Sequence, residues 1–430
     1  MPALISFVGL FVLMALAWAL ATSRRVVNWR LLAWGLGLQL AFGAFVFQVP
    51  AGRELFGAIN TVIAQVFQAA MAGPRFVFGP LALGPGESDP AVGQSVGFIL
   101  AFQALPAIIV VSAVIAILYH YGVMQLLVRG FAWLFARAMR LSGAESLCAA
   151  CNIFVGIEAS LAVRPFLRGM TRSELAVVLT TGLATVASNV MGAYYFFLKD
   201  QFPSIAGHLV SATLIVTPAA LIMSKLMVPE TETPPTLGRD VQPHFERDDN
   251  VFVAVINGAG SGLQLIFGIV ALLIAVVGLM GIANLGLGAA STAGGAAAPW
   301  TLQQLLAYPF YPLAWLMGVP WSEVPVVANL LGQRLVLTEF ASYPGLAAAM
   351  KDHLISNRSA VITAYALCGF AHLPSLAIFV GGTAALCPER KRDLALVGIR
   401  ALIAATLACL MAGCIAGLFF SGESVLFTAP

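Results

Sequence analysis

Apolar residues run along this chain in long blocks, set apart by short polar segments rich in arginine. A helix of roughly 20 apolar residues crosses the ~30 Å hydrocarbon layer of a bilayer. Six stretches reach that length without interruption: 3–22, 31–49, 105–124, 204–227, 262–284 and 395–420. Two more, 172–198 and 358–386, are long enough but contain Gly182-Leu-Ala-Thr-Val-Ala-Ser188 and Gly369-Phe-Ala-His-Leu-Pro-Ser375. The pattern predicts an all-α integral membrane protein with about eight transmembrane helices, two of them broken. Two further apolar stretches, 142–168 and 323–352, each hold a glutamate near the centre, Glu158 and Glu339. They read as re-entrant hairpins, which enter and leave by the same face.

The remaining segments fill in the layout. Residues 51–71 and 124–141 read as helices lying along the membrane interface. Residues 229–250 form the one strongly polar stretch, a solvated cytoplasmic loop, and 286–300 a flexible outer loop. No second soluble domain is visible. With the N-terminus outside, Arg24, Arg25, Arg30, Arg129, Arg137, Arg140, Arg164, Arg168, Arg172, Arg239, Arg247, Arg390, Lys391 and Arg392 lie inside. Arg53, Arg75, Lys199, Arg334, Lys351 and Arg358 then lie outside. That excess agrees with the positive-inside rule. In this orientation the first hairpin enters from the cytoplasm and the second from outside, so the two are inverted.

The two interruptions align, with glycine, alanine and serine at positions one, three and seven of each motif. Each follows a hairpin carrying one carboxylate. Inverted repeats with broken helices are the usual build of secondary transporters. Backbone groups freed by a break must face protein, water or a ligand rather than lipid. A carboxylate near mid-membrane costs roughly 2.5–3.5 kcal/mol on insertion scales. Glu158 and Glu339 are therefore read as functional. The competing reading is a hairpin-tip cap or a partner for Arg164 or Arg334. His372 reads equally well as a structural hydrogen bond or a ligand contact.

Composition narrows the class. Sixty per cent of residues are hydrophobic and 10% charged, against about 25% charged in ordinary soluble domains. A net charge of +3, spread among loops, does not point to nucleic acid. The first apolar stretch lacks a charged residue ahead of it and a small-residue cleavage site, so it reads as a retained span. Cys148-Ala-Ala-Cys151 has redox-motif spacing, but within apolar sequence small buried thiols are the better reading. An enzyme is disfavoured: there is no H-E-x-x-H, and His120, His208, His244, His353 and His372 are scattered. A passive channel would share the broken helices without needing a cation bound beside its solute. A sensor that has lost transport would share the same architecture.

The motifs also carry a family likeness. The first hairpin reads Asn152-Ile-Phe-Val-Gly156-Ile157-Glu158-Ala-Ser-Leu-Ala-Val-Arg164-Pro165, followed by MTRSEL at 170–175. The second reads GQRLVLTEF at 332–340, then ALCGFA at 366–371 and PERKRDLALVGIRAL at 388–402. Over nearly its whole length the chain resembles the concentrative nucleoside transporter family. That resemblance implies a homotrimer in a bacterial inner membrane that imports nucleosides with Na+, or in some cases H+, as a transport domain moves against a scaffold. It implies sodium ligands at Asn152, Val155, Thr185 and Val186, the valines through their carbonyls. It implies base contacts at Gly156, Ile157, Glu158 and Val190, and ribose contacts at Glu339, Phe370, His372 and Ser375. Oxygen-only ligation suits a hard cation, and a carboxylate suits sugar hydroxyls.

The parts then divide into scaffold and interfacial helices (1–141), first transport half (142–200), scaffold helices with the polar loop (201–321), second transport half (322–386) and C-terminal span (387–430). Two departures fall on the substrate wall. A glutamine-threonine pair of the family is the single Ile157, and the asparagine that touches ribose is His372, with Pro374 replacing a serine. Since sites that hydrogen-bond a group discriminate strongly, substrate preference is expected to be altered or relaxed. His372 also brings a group that titrates near neutral pH, so proton coupling stands as the alternative to sodium.

Overall fold

The computed structural model describes residues 2–90, 93–156, 158–244, 248–296 and 298–422, and most of them are helical. The chain opens with α1 (Pro2–Ala19), α2 (Trp29–Phe47) and α3 (Pro50–Ala70). Helices α4 (Ala107–His120) and α5 (Val123–Met139) lead into the first hairpin. Its first arm is α6 (Gly143–Cys151); the return arm is a helical turn, Ala159–Ala162, continued by a tighter turn at Arg164–Gly169. The first broken span is α7 (Arg172–Ala184) followed by α8 (Met191–Leu198). After α9 (Ile205–Met227) and α10 (Val251–Ala293) comes the second hairpin, α11 (Val324–Leu337) and α12 (Glu339–Lys351). The second broken span, α13 (Asn357–Leu367) and α14 (Leu373–Leu386), precedes α15 (Lys391–Phe419).

Seven helical stretches among the described residues are long and apolar enough to cross a membrane. Six overlap the uninterrupted spans expected from the sequence. The seventh, Pro50–Ala82, contains the segment expected along the interface. Arg53 and Glu54 sit near its start, which leaves its remainder uncharged up to Arg75. A second difference lies at 286–300, expected as a loop: α10 continues as far as Ala293. Leu287, Ala289, Ala290 and Ala293 are good helix formers that continue a helix already nucleated, despite the two glycines in this stretch.

The hairpin roots are fixed by polar chemistry. Ser142 and Thr171 each form a capping box, with Glu145 and Glu174 reaching back to the cap N–H, so orphan amides at both helix starts are satisfied. The two boxes are joined by the Ser142 hydroxyl donating to Glu174. Lys225, near the end of α9, sits 2.8 Å from Glu145 and 3.3 Å from Glu230. The first hairpin is thereby tied to both α7 and α9.

Helix α15 is the centre of the packing. It lies against α1, α7, α9, α13 and α14, and it and α9 are mostly buried, whereas α10 is mostly exposed and lies against α4. α7 and α13 are thus held in the interior, while α14 keeps an exposed face that includes Leu373 and Ile378.

Candidate functional site

The helix breaks follow from local chemistry. α7 stops at Ala184, and Thr185 takes an extended conformation, φ −102° and ψ 164°. Past it, Ser188 N–H donates to the Phe154 carbonyl at the tip of the first hairpin, 3.1 Å away. In the second repeat, Gly369 has φ +135°, which glycine alone adopts without strain. His372 then caps α14: its Nδ1 accepts the Ser375 N–H at 3.2 Å, with Pro374 in the first turn, where its missing donor costs nothing. The carbonyls freed at the breaks find partners, as they must in a low-dielectric interior. Cys409 Sγ lies 3.5 Å from Ala184 O and 3.2 Å from Cys368 O. Arg334, counted in an outer segment from sequence, is instead fully buried in α11 and donates to Ala366 O at the end of α13.

The two breaks cross each other. A Cβ on Gly369 would overlap the Ala184 carbonyl oxygen, and one on Gly182 would overlap the Phe379 ring. The first glycine of each motif is therefore what lets the opposite half approach.

Around this crossing lies a cavity of about 100 Å³, partly open to solvent. Gly156, Glu158, Val190, Glu339, Phe370, His372 and Ser375 all line it. Ile157 lies outside the described residues. Glu339 and His372 meet there: His372 Nε2 is 2.7 Å from Glu339 Oε2. Because Nδ1 accepts the Ser375 amide, the ring proton falls to Nε2, whose hydrogen-bond partner is the Ser375 hydroxyl at 3.1 Å. Tyr194 donates to the other Glu339 oxygen at 2.7 Å. Neither glutamate pairs with an arginine among the described residues. Glu339 is almost fully buried, whereas Glu158 is exposed.

Four groups in and behind this wall escaped the sequence reading. Tyr194 sits in an apolar run and carries no motif. Asn189 turns its amide nitrogen to Ser112 at 3.4 Å. Thr338, at the tip of the second hairpin, has φ +79°, a strained state for a β-branched residue that marks functional positions. Leu265, Ile269 and Leu272 of α10 form the apolar side, and their helical spacing was available as a signal. Glu158 and Asn189 also line an adjoining chamber that extends to Tyr119, His120 and Gln125.

The oxygens expected to take sodium lie behind the first hairpin. Asn152 donates through Nδ2 to Cys148 O at 3.1 Å and Thr181 Oγ1 at 3.0 Å. Its Oδ1 is left buried without a partner, a state that costs about 1–3 kcal/mol unless something fills it. Thr185 gives its proton to Thr181 O at 2.8 Å, so its lone pairs stay free. Val155 and Val186 lie outside helices, and their carbonyls accept no hydrogen bond among the described residues. A set of acceptors without donors fits a hard monovalent or divalent cation.

Comparison with known proteins gives the family. Models described as Na+ dependent nucleoside transporter N-terminus and C-terminus match residues 8–81 and 208–417, and one described as nucleoside recognition matches 101–201. An uncharacterized transporter of Haemophilus influenzae is 37% identical, covering 97% of this chain and 98% of its own. Sodium/nucleoside cotransporter 1 of Mus musculus is 35% identical over 98% of this chain, which spans 64% of the mouse protein. CNTnw, solved in an inward-facing substrate-bound state, superposes with a TM-score of 0.87 at 37% identity, covering 97% of this chain and 98% of that one. Substituted variants of CNTnw have also been solved in outward-facing and intermediate states. These relatives are membrane transporters, not enzymes. The chain belongs to the Na+-dependent, concentrative nucleoside transporter family, and sodium is the coupling ion that this membership implies.

Proposed function

We propose that this protein is a sodium-coupled nucleoside importer that works by alternating access as a homotrimer in a bacterial inner membrane, with substrate selectivity altered from that of its relatives. One observation carries the reading: both hairpin tips and both helix breaks converge on one cavity, and Asn152 of the first hairpin keeps a buried, unpartnered Oδ1. In this reading Gly156, Glu158 and Val190 face the base, with Ile157 on the same hairpin. Glu339, Phe370, His372 and Ser375 face the sugar, and Asn152, Val155, Thr185 and Val186 hold sodium. The hairpins and broken spans, 142–200 and 322–386, move as one body against α4 and α10. Their interlocked glycines favour rigid motion, and the peripheral position of α10 suits a fixed wall.

The test is uptake of labelled purine and pyrimidine nucleosides into proteoliposomes, with and without an inward sodium gradient. Sodium-stimulated accumulation of any nucleoside is the expected result; no accumulation of any of them overturns the reading. In the same assay Asn152→Ala is expected to raise the sodium concentration for half-maximal uptake at least tenfold, about 1.4 kcal/mol. Nucleoside KM at saturating sodium should change little. Equal losses in both would mean a folding role.

A second reading rests on the His372–Glu339 contact. It joins an imidazole to the proposed sugar-binding carboxylate, so the cycle carries a proton or responds to one. Wild-type uptake then depends on pH, and His372→Asn flattens that profile. An identical profile in the variant removes proton coupling through this pair.

A further inference from the structure

We infer that the groove between α1 and α2 is a binding site for an anionic phospholipid of the leaflet that faces the α1–α2 loop. The two helices both lie against α9 and α15, and the trough between them is floored by Leu226 near the end of α9. Phe11 and Met14 line one side, Leu32 and Leu36 the other. From Trp18 to Phe11, and from Trp29 to Leu36, the helical rise gives an apolar trough about 10 Å long. That is about two-thirds of the hydrocarbon thickness of one leaflet.

The mouth of the trough is charged and built. Arg24 and Arg25 line it, and the first 53 residues contain no aspartate or glutamate. The loop is anchored by Thr22 N–H donating to Met227 O at 2.9 Å and by Trp18 Nε1 donating to Arg24 O at 3.0 Å. Arg24 is held over the end of α1, its Nε and Nη2 reaching Ala19 O at 3.1 and 2.7 Å. Arg25 makes no hydrogen bond or ion pair among the described residues. Trp18 and Trp29 flank the opening and are 44% and 74% exposed, in the amphipathic position that tryptophan takes at headgroup level.

Charge decides the ligand. A zwitterionic headgroup would bring its own cation towards two arginines, whereas a phosphate monoanion without one offsets one of their two charges and adds no cation. Basic pockets between membrane helices bind anionic headgroups on this physical ground, and arginine is the side chain that grips phosphate in two-pronged fashion. The acyl chains fill the trough, which no helix among the described residues covers.

The test is native mass spectrometry of the full detergent-purified protein, titrated with dioleoylphosphatidylglycerol or dioleoylphosphatidylcholine. The glycerol lipid is expected to bind at least tenfold more tightly, and the preference to fall below about twofold in an Arg24→Gln, Arg25→Gln double variant. Arg129→Gln with Arg137→Gln, on α5, should keep it, which separates this groove from general surface charge. If the double variant folds poorly, Arg25→Gln alone serves, because Arg25 makes no internal bond; it should lower the preference without lowering thermal stability. Equal binding of the two lipids by the wild type, or a preference that survives these substitutions, overturns the inference. Neither readout depends on which solute is transported.

Discussion

Replacing Glu339 with alanine is expected to lower nucleoside uptake by about 100-fold or more in proteoliposomes. The carboxylate is buried; one oxygen accepts the Tyr194 hydroxyl and the other lies 2.7 Å from His372 Nε2. Truncation leaves the Tyr194 phenol without its acceptor, takes the carboxylate away from His372 and removes the group proposed to take sugar hydroxyls. Losses of this kind run to about 2–5 kcal/mol. Glu339→Gln preserves shape and can keep the Tyr194 hydrogen bond but loses the charge, so a milder loss, near tenfold, is expected. Initial rates should be read beside thermal unfolding of the same samples. A folded Glu339→Ala protein that transports at the wild-type rate would remove this carboxylate from the site.

The second large effect is on folding. Gly369→Ala sets a Cβ into the Ala184 carbonyl oxygen and 2.8 Å from Cys409 Sγ, at a φ of +135°. Backbone cannot yield as a flexible side chain can, and the conformation itself is strained for alanine. We expect a cost of about 3 kcal/mol or more, seen as low yield and a depressed unfolding temperature in detergent. The control is Gly381→Ala in α14, where a Cβ meets nothing within 4 Å. There the better helix propensity of alanine should leave stability unchanged or raise it. Comparable damage from both substitutions would contradict the crossing.

How far the sequence could be read depended on whether a signal was local. The breaks at 185 and 369 were legible because glycine, proline and hydroxyl residues interrupt otherwise continuous apolar runs. The chemistry of Glu339 and His372 was legible for the same reason, but their partnership was not. They are separated by α12 and α13, and nothing in spacing says that a hairpin tip abuts a distant helix break. Tyr194 was invisible because a tyrosine in an apolar run reads as packing. Arg334 was misplaced by a sound rule, that cations mark loops; the exception arises where a broken helix leaves carbonyls inside the protein for the cation to cap. The end of α10 was missed because a run of glycine and alanine has no outward mark of a helix that is already nucleated.

The crossing of the two broken spans also sets unequal evolutionary freedom on its two sides. Gly182 faces an aromatic ring, Phe379, which a smaller residue could replace. Growth at 182 can therefore be offset by shrinkage at 379, and Gly182→Ala with Phe379→Leu should recover much of what Gly182→Ala loses. Gly369 faces main-chain atoms, which no codon change can shrink. One arm of the repeat is thus free to drift through compensating pairs, while the other stays frozen however long the two halves diverge.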